Sequence, residues 1–297
     1  MTATLMGLEL PARFKYFDKA AEACTVEELC QEEETEVLDF LAERPMHTVF
    51  MTSLICDNGL VSPHNRGSFY AGRDSQRRLV GVALLGHATL IETRTESSIS
   101  VFARLARNCE DAFLIRGESN TINNFWKHYA RPGQEPRLVC TEKLIELRRP
   151  LSDYEAIDLR PATVTELDKV LSVNASMACD EGSINPLQCD PAGFRQRTAR
   201  RIEQGRIWVW IHEGRLIFKA DVVAETPQVA YLEGVHVHAE ERRRGFGLRC
   251  LNQLSSILLT RSQSICLTVN ELNHKAAALY EKAGYQSHSN YETIYLR

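Results

Sequence analysis

The chain has 297 residues, 44% of them hydrophobic and 25% charged, with a formal net charge of -4. That length and mix suit a water-soluble protein large enough for two cores, and no basic excess recommends a nucleic-acid partner. Nine cysteines, an odd number with no Cys-x-x-Cys pair, fit reduced thiols better than a disulfide framework or a zinc site. Met1 to Lys19 lacks a basic region followed by an apolar block. The most apolar internal run, Leu79 to Ile91, is too short to span a bilayer and is broken by Gly81, Gly86 and His87. A cytoplasmic location with no membrane partner is the expectation.

In chain order, the acidic run Glu32-Glu33-Glu34 reads as the solvated face of a helix. Arg78 to Leu84 and Ala88 to Glu92 read as strands, Ser97 to Arg107 as a helix and Ala112 to Arg116 as a strand, with a helix from Asn120 through Tyr129. Arg148 to Asp153 interrupts the patterned regions and sets a boundary there. Ala156 to Ala162 reads as a short strand ended by a proline, after which Thr163 or Thr165 caps a helix through about Met177. Pro191 starts another helix through about Glu203. Ile207 to Ile211 and Leu216 to Val223 read as strands joined at Glu213-Gly214.

Val229 to Val237, rich in Val, Tyr and Leu, reads as a strand, and Leu248 to Leu259 carries leucines at helical spacing. Between them lies Glu241-Arg242-Arg243-Arg244-Gly245-Phe246-Gly247. A strand ending in a glycine turn that opens a helix leaves first-turn N–H groups unpaired, where the aligned dipoles favour negative charge. A pyrophosphate fits such a place, and Gly245 and Gly247 would let the backbone approach it without a Cβ in the way. Cys266 to Asn270 then reads as a strand. Asn273 is a good N-cap for a helix built on Ala276 to Ala278 and stopped at Gly284, with closing strands beyond.

The pattern Arg242-x-x-Gly245-x-Gly247 resembles the signature loop of the GNAT superfamily of N-acetyltransferases. Cys266 to Asn270 followed by Asn273 to Tyr285 resembles that family's next strand and helix, in which an Asn opens the helix, a Tyr lies two turns on and a Gly-aromatic pair closes it. The first half looks like an eroded copy. Laying Phe113 to Asn120 beside Cys266 to Asn273 puts Asn120 on Asn273 and Lys127 where Tyr280 stands, while Glu92 to Ser98 lacks the glycines of the loop and carries acidic side chains. Gly81 to His87, Leu216 to Asp221 and Thr268 to Asn273 resemble bacterial tandem GNAT proteins whose first domain is of unknown function. The resemblance implies an α/β fold of two tandem GNAT-like domains, each a mixed, mainly antiparallel sheet flanked by helices. A degenerate domain would occupy residues 1–149 and an acetyltransferase domain residues 154–297.

The chemistry the resemblance implies is transfer of an acetyl group from acetyl-CoA to a primary amine, on a small molecule or peptide, by direct attack on the thioester, without a metal. Backbone groups of Val235, His236 and Val237 would face the pantetheine arm, Arg242, Arg243, Arg244, Gly245, Phe246, Gly247 and Leu248 would hold the pyrophosphate, and Asn273 would contact the arm. Tyr280 matches the acid that protonates the departing thiolate, a role suited to a hydroxyl with an ordinary pKa of about 10 beside a thiol of about 8.5. Some GNAT enzymes place a base where Thr268 stands. The remaining candidate is Glu233, which strand alternation sets on the face of Val235 and Val237. Asp180 and Glu181, in the loop after the first helix of this half, could instead bind a cationic acceptor. His236 and His238 alternate onto one face but lack a third metal ligand. A non-catalytic acyl-CoA-binding regulatory module and a transferase of another acyl group stay open as alternatives, as does assembly into a homodimer.

Overall fold

The computed structural model describes residues 15–16, 24–151, 157–182 and 184–296. The first half runs β1 (Lys15–Tyr16), β2 (Thr25–Glu28), α1 (Glu34–Ala42), α2 (Pro45–Asn58), β3 (Gly67–Arg73), β4 (Leu79–Gly86), β5 (Ala88–Thr93), α3 (Glu96–Ala106), β6 (Leu114–Glu118), α4 (Ser119–Tyr129) and β7 (Leu138–Leu147). The second half follows with β8 (Arg160–Pro161), α5 (Leu167–Gly182), α6 (Pro186–Cys189), α7 (Pro191–Glu203), β9 (Ile207–His212), β10 (Arg215–Glu225), β11 (Val229–Val237), α8 (Phe246–Leu258), β12 (Ser264–Asn270), α9 (His274–Lys282) and β13 (Gln286–Tyr295).

Three sequence expectations need correction. The helix expected to end near Met177 continues to Gly182, because no glycine or proline interrupts it earlier. Asp180 and Glu181 therefore sit on its last turns, not in a loop. The strand expected from Ala156 reduces to Arg160–Pro161, and Ala156 itself lies outside the described residues. The acidic run is no solvated face: Glu33 accepts from Arg73 at 3.0 Å and Glu34 accepts the Leu60 amide at 3.0 Å. Arg73 collects Glu27 and Glu36 as well, so Glu33 shares one buried cation with two acids outside the run, while Glu32 stays exposed.

The thirteen strands of the described residues form one sheet, ordered β1-β2-β3-β4-β5-β6-β13-β7-β12-β11-β10-β9-β8. Neighbours are antiparallel except β5 with β6 and β11 with β12, which are parallel. Each half thus carries one parallel pair joined through a helix, as short strand–helix–strand units require. The closing strands are exchanged: β7 lies against β12, and β13 inserts between β6 and β7. The break in sequence pattern follows β7, in the middle of this order, and precedes β8, the strand that ends it; residues 152–156 lie outside the described ones.

Helices cover both faces. In the first half α3 and α4 pack through Phe102, Ile122 and Phe125 on one side, and α1 and α2 through Leu41 and Met51 on the other. In the second, α8 and α9 pack through Leu251, Leu254 and Tyr280 on one side, and α5 and α7 through Val170 and Ile202 on the other. Each such aliphatic or aromatic side chain contributes about 1.5–3 kcal/mol when buried. Helix α2 reaches beyond its own half. Its Met46 and Val49 meet Tyr231, Cys266 and Tyr291, and its Asp57 receives Arg206 through two bonds of 2.6 and 2.8 Å.

Candidate active site

Residues 238–245 separate β11 from α8. Arg243 and Gly245 take left-handed backbone angles, with φ of +64 and +83, so the chain curls before the helix begins. The Arg242 N–H bonds Ala239 O, and the Arg249 N–H bonds Gly245 O. Among the described residues, no backbone N–H from Arg243 through Leu248 has a partner. That row of donors at a helix N-terminus is built to meet an anion. The side chains are partly engaged: Arg242 Nε donates to Val237 O at 3.0 Å, and Arg244 pairs with Glu241 and lies 5.0 Å from the Phe246 ring. Gly247 also has a packing reason. A Cβ there would stand 3.0 Å from Val237 Cγ2, so this glycine lets α8 close on β11.

Strand β11 corrects a further expectation. Lys219 opposes His236 and Asp221 opposes Glu233, so β11 carries an extra residue there, a β-bulge at Gly234 with φ of +59. The bulge breaks the alternation. Tyr231 and Glu233 face α2 and α5, whereas Val235 and Val237 pack into the core under α8 and α9. Glu233 is therefore on the opposite face from Val235 and Val237. Beneath the bulge, Lys219 is buried; its Nζ donates to Gly234 O at 3.1 Å and lies 3.0 Å from Asp221 Oδ1, a contact of ionic distance without hydrogen-bond alignment. His236 is half-buried, and burial, then the nearby Arg242, lowers its pKa to about 4.

On the Glu233 face the two halves meet in one polar cluster. Arg116 of β6 donates to Glu233 Oε1 at 2.9 Å and to the Tyr231 hydroxyl at 2.8 Å, and bonds Thr268 Oγ1. Thr268 in turn donates to Glu142 Oε1 at 2.8 Å, and Thr293 donates to Glu142 Oε2 at 2.5 Å. Burial works against the Arg116 charge, and Tyr231, Glu142 and Glu233 overcome it, raising its pKa. Glu233 keeps 39% of its side chain exposed. Glu181 at the end of α5 makes no ion pair or hydrogen bond among the described residues. Burial, then the charge of Glu233, pushes its carboxyl up to about 7, although the residue keeps an exposed surface.

Tyr280 lies on α9, buried and 5.6 Å from the Tyr285 ring. Its hydroxyl bonds to none of the described residues, and burial, then Glu181, raises its pKa. Asn273 caps α9, accepting the Ala276 N–H at 3.1 Å through Oδ1, which leaves its side-chain NH2 for a ligand. Arg116, Glu142 and Tyr231 escaped the sequence reading because their meeting depends on the exchanged strands. The bulge had a signal, a glycine inside a strand, and so did the buried pair, Lys219 and Asp221 two apart in an apolar run. Among the described residues no group of His, Cys, Asp and Glu could hold a metal, and no helix is long and apolar enough to cross a membrane.

Residues 217–294 match the family model described as FR47-like protein. That segment contains the bulge, the loop, Asn273 and Tyr280. No curated protein matches the chain. Among solved structures, a Drosophila protein superposes with a TM-score of 0.68 at 14% identity, covering 92% of this chain and 98% of its own. A tandem GNAT protein from the clavulanic acid biosynthesis pathway gives 0.58 at 15% identity, covering 92% and 99%. A GNAT-family acetyltransferase from Colwellia psychrerythraea gives 0.53 at 14% identity, covering 92% and 99%. With its two strand–helix–strand units in one sheet and its FR47-like segment, the chain has the GNAT fold in tandem.

Proposed function

We propose that this protein is an acetyl-CoA-dependent N-acetyltransferase that acetylates a primary amine by direct attack on the thioester, and that it works in the cytoplasm. The observation that carries this reading is the row of unpartnered N–H groups from Arg243 to Leu248. It offers a pyrophosphate several preorganised donors and a helix dipole of matching sign. Arg242, Arg243 and Arg244 add positive charge around it. The backbone of Val235, His236 and Val237 beyond the bulge would take the pantetheine arm, with Asn273 across from it.

Tyr280 is the proposed acid. Burial keeps its hydroxyl protonated, so it can give a proton to the departing sulfur without prior ionisation. A carboxylate of the cleft face, Glu233 or Glu181, takes the amine proton. Residues 1–149 are proposed to form an eroded GNAT-like unit that walls the cleft of residues 154–297 and supplies Arg116 to it. Incubation with acetyl-CoA and a panel of primary amines, followed by release of free thiol, tests the reading. Acetyl-CoA-dependent thiol release with at least one amine is expected. Tight coenzyme A binding without turnover on any amine would favour a regulatory acyl-CoA-binding module.

A further inference from the structure

We propose that the two cleft carboxylates divide the work: Glu233, pinned by Arg116 from the first half, anchors the acceptor's ammonium group, and Glu181 takes its proton. This rests on the N-acetyltransferase reading.

Glu233 is already held by a cation of the protein. Its Oε1 is 2.9 Å from the Arg116 guanidinium, a charge-assisted contact that fixes the carboxylate's direction. Its exposed remainder is suited to a cation. Glu181 has the opposite surroundings. Around it lie Glu233 on β11, Glu142 on β7, Arg116 on β6 and Lys219 on β10, and its own charge reaches Tyr280 on α9, Cys140 on β7 and Tyr295 on β13. Both nearby cations are engaged, Arg116 with Glu233 and Lys219 with Asp221. Glu181 is left as an unpaired carboxylate among carboxylates, at the negative end of α5, in electrostatic reach of the proposed acid. Its pKa of about 7 suits proton transfer near neutral pH.

The step balances as follows. An ammonium proton passes to the Glu181 carboxylate, and the freed nitrogen lone pair forms a bond to the thioester carbonyl carbon while the carbonyl π pair moves to oxygen. The pair returns, the C–S bond breaks, and the sulfur takes its proton from Tyr280. The second nitrogen proton restores the Tyr280 phenol through water, and Glu181 loses its proton to solvent. The net products are the amide, coenzyme A as the thiol and one proton.

The test is the pH profile of kcat/KM for the wild type, E181Q, E181D and E233Q, using benzylamine, ethanolamine, lysine and a short peptide as acceptors. Coenzyme A binding by calorimetry checks that each variant is folded. The wild type should show an acidic limb near pH 7. E181Q should lose about 10²–10⁴-fold in kcat and lose that limb, with E181D partly rescued. E233Q should raise the acceptor KM more than it lowers kcat. If the wild type turns over and E181Q keeps both rate and limb, or E233Q abolishes the limb, the division of labour is overturned alone. If the wild type binds coenzyme A but acetylates no amine, the transferase reading falls and the proposal with it.

Discussion

The two halves build the same strand, turn and helix, and differ in what the turn does with its donors. In the first half only Arg94 and Thr95 separate β5 from α3. The Arg94 N–H bonds Val80 O at 2.8 Å, the Thr95 N–H bonds Thr93 Oγ1 at 3.2 Å, and Ser98 Oγ donates to Thr95 O at 2.8 Å. The arginines are taken too. Arg94 pairs with Glu43 and Glu92, and Arg44 ties Glu92 to Glu118 across the ends of β5 and β6, at 3.2 and 2.6 Å. In the second half the longer loop leaves its amides unmet. Among the described residues the first-turn amides of Glu96 to Ser98 are unmet as well, so the halves differ in the loop ahead of the helix, where Arg94 and Thr95 are bonded and Arg243, Arg244 and Gly245 are not.

Other devices are kept in both halves. Ahead of α1 the Cys30 N–H bonds Glu33, which also receives Arg73; ahead of α5 the Thr163 N–H bonds Glu166, which also receives Arg160. The same capping box braced by an arginine opens the first helix of each half. What persists is what holds the fold, and what differs is the loop proposed to meet the coenzyme.

The comparison can be broken at its strongest point with Tyr280→Phe, since the residue equally far into α4 is the buried Phe125, and not the Lys127 of the sequence alignment. We expect kcat to fall by about 10²–10⁴-fold, with coenzyme A affinity by calorimetry unchanged. Turnover intact at every pH would remove the acid assignment. Arg44→Ala should destabilise the fold by about 2–3 kcal/mol in denaturant titration, because buried Glu92 loses one of its two cations. It should not create a second coenzyme site; a binding stoichiometry of two per chain would show that Arg44 alone distinguishes the halves.

Gly245→Val should weaken coenzyme A binding by about 10- to 100-fold while leaving most of the fold intact. A β-branched residue is strained by about 1–3 kcal/mol at the φ of +83 this turn uses. Glu33→Ala and Glu166→Ala should each lower stability by about 1–2 kcal/mol in thermal melts. The hydrogen bond from Arg160 lowers the Glu166 pKa to about 2. A depressed carboxylate stabilises above its unfolded pKa of about 4.3 and loses that contribution as pH falls toward 2. The E166A protein should therefore show a shallower decline of Tm with acid than the wild type.

Much of the second half was legible because its signals are local. Leucines at helical spacing, Asn273 ahead of a run of alanines and the glycine turn each act within a few residues, and α7 and β11 occupy the expected spans. The first-half elements from β4 to α4 were legible for the same reason. What stayed hidden depends on distant pairing. Strand β7, with its alternating burial, gives no sign that its partner is β12, and Arg116 meets Glu233 only because β13 and β7 change places between the halves. The face of Glu233 was misjudged by one extra residue, since a single bulge reverses every side chain beyond it.

The exchanged strands bear on inheritance. A gene cut between 149 and 154 yields no working fragment: residues 154–297 would keep β12 with one bare edge and β13 with no neighbour on either side. Deleting the first half would thus expose unpaired backbone in the second. The second half therefore cannot shed the first and keep its own sheet paired, whatever either half binds.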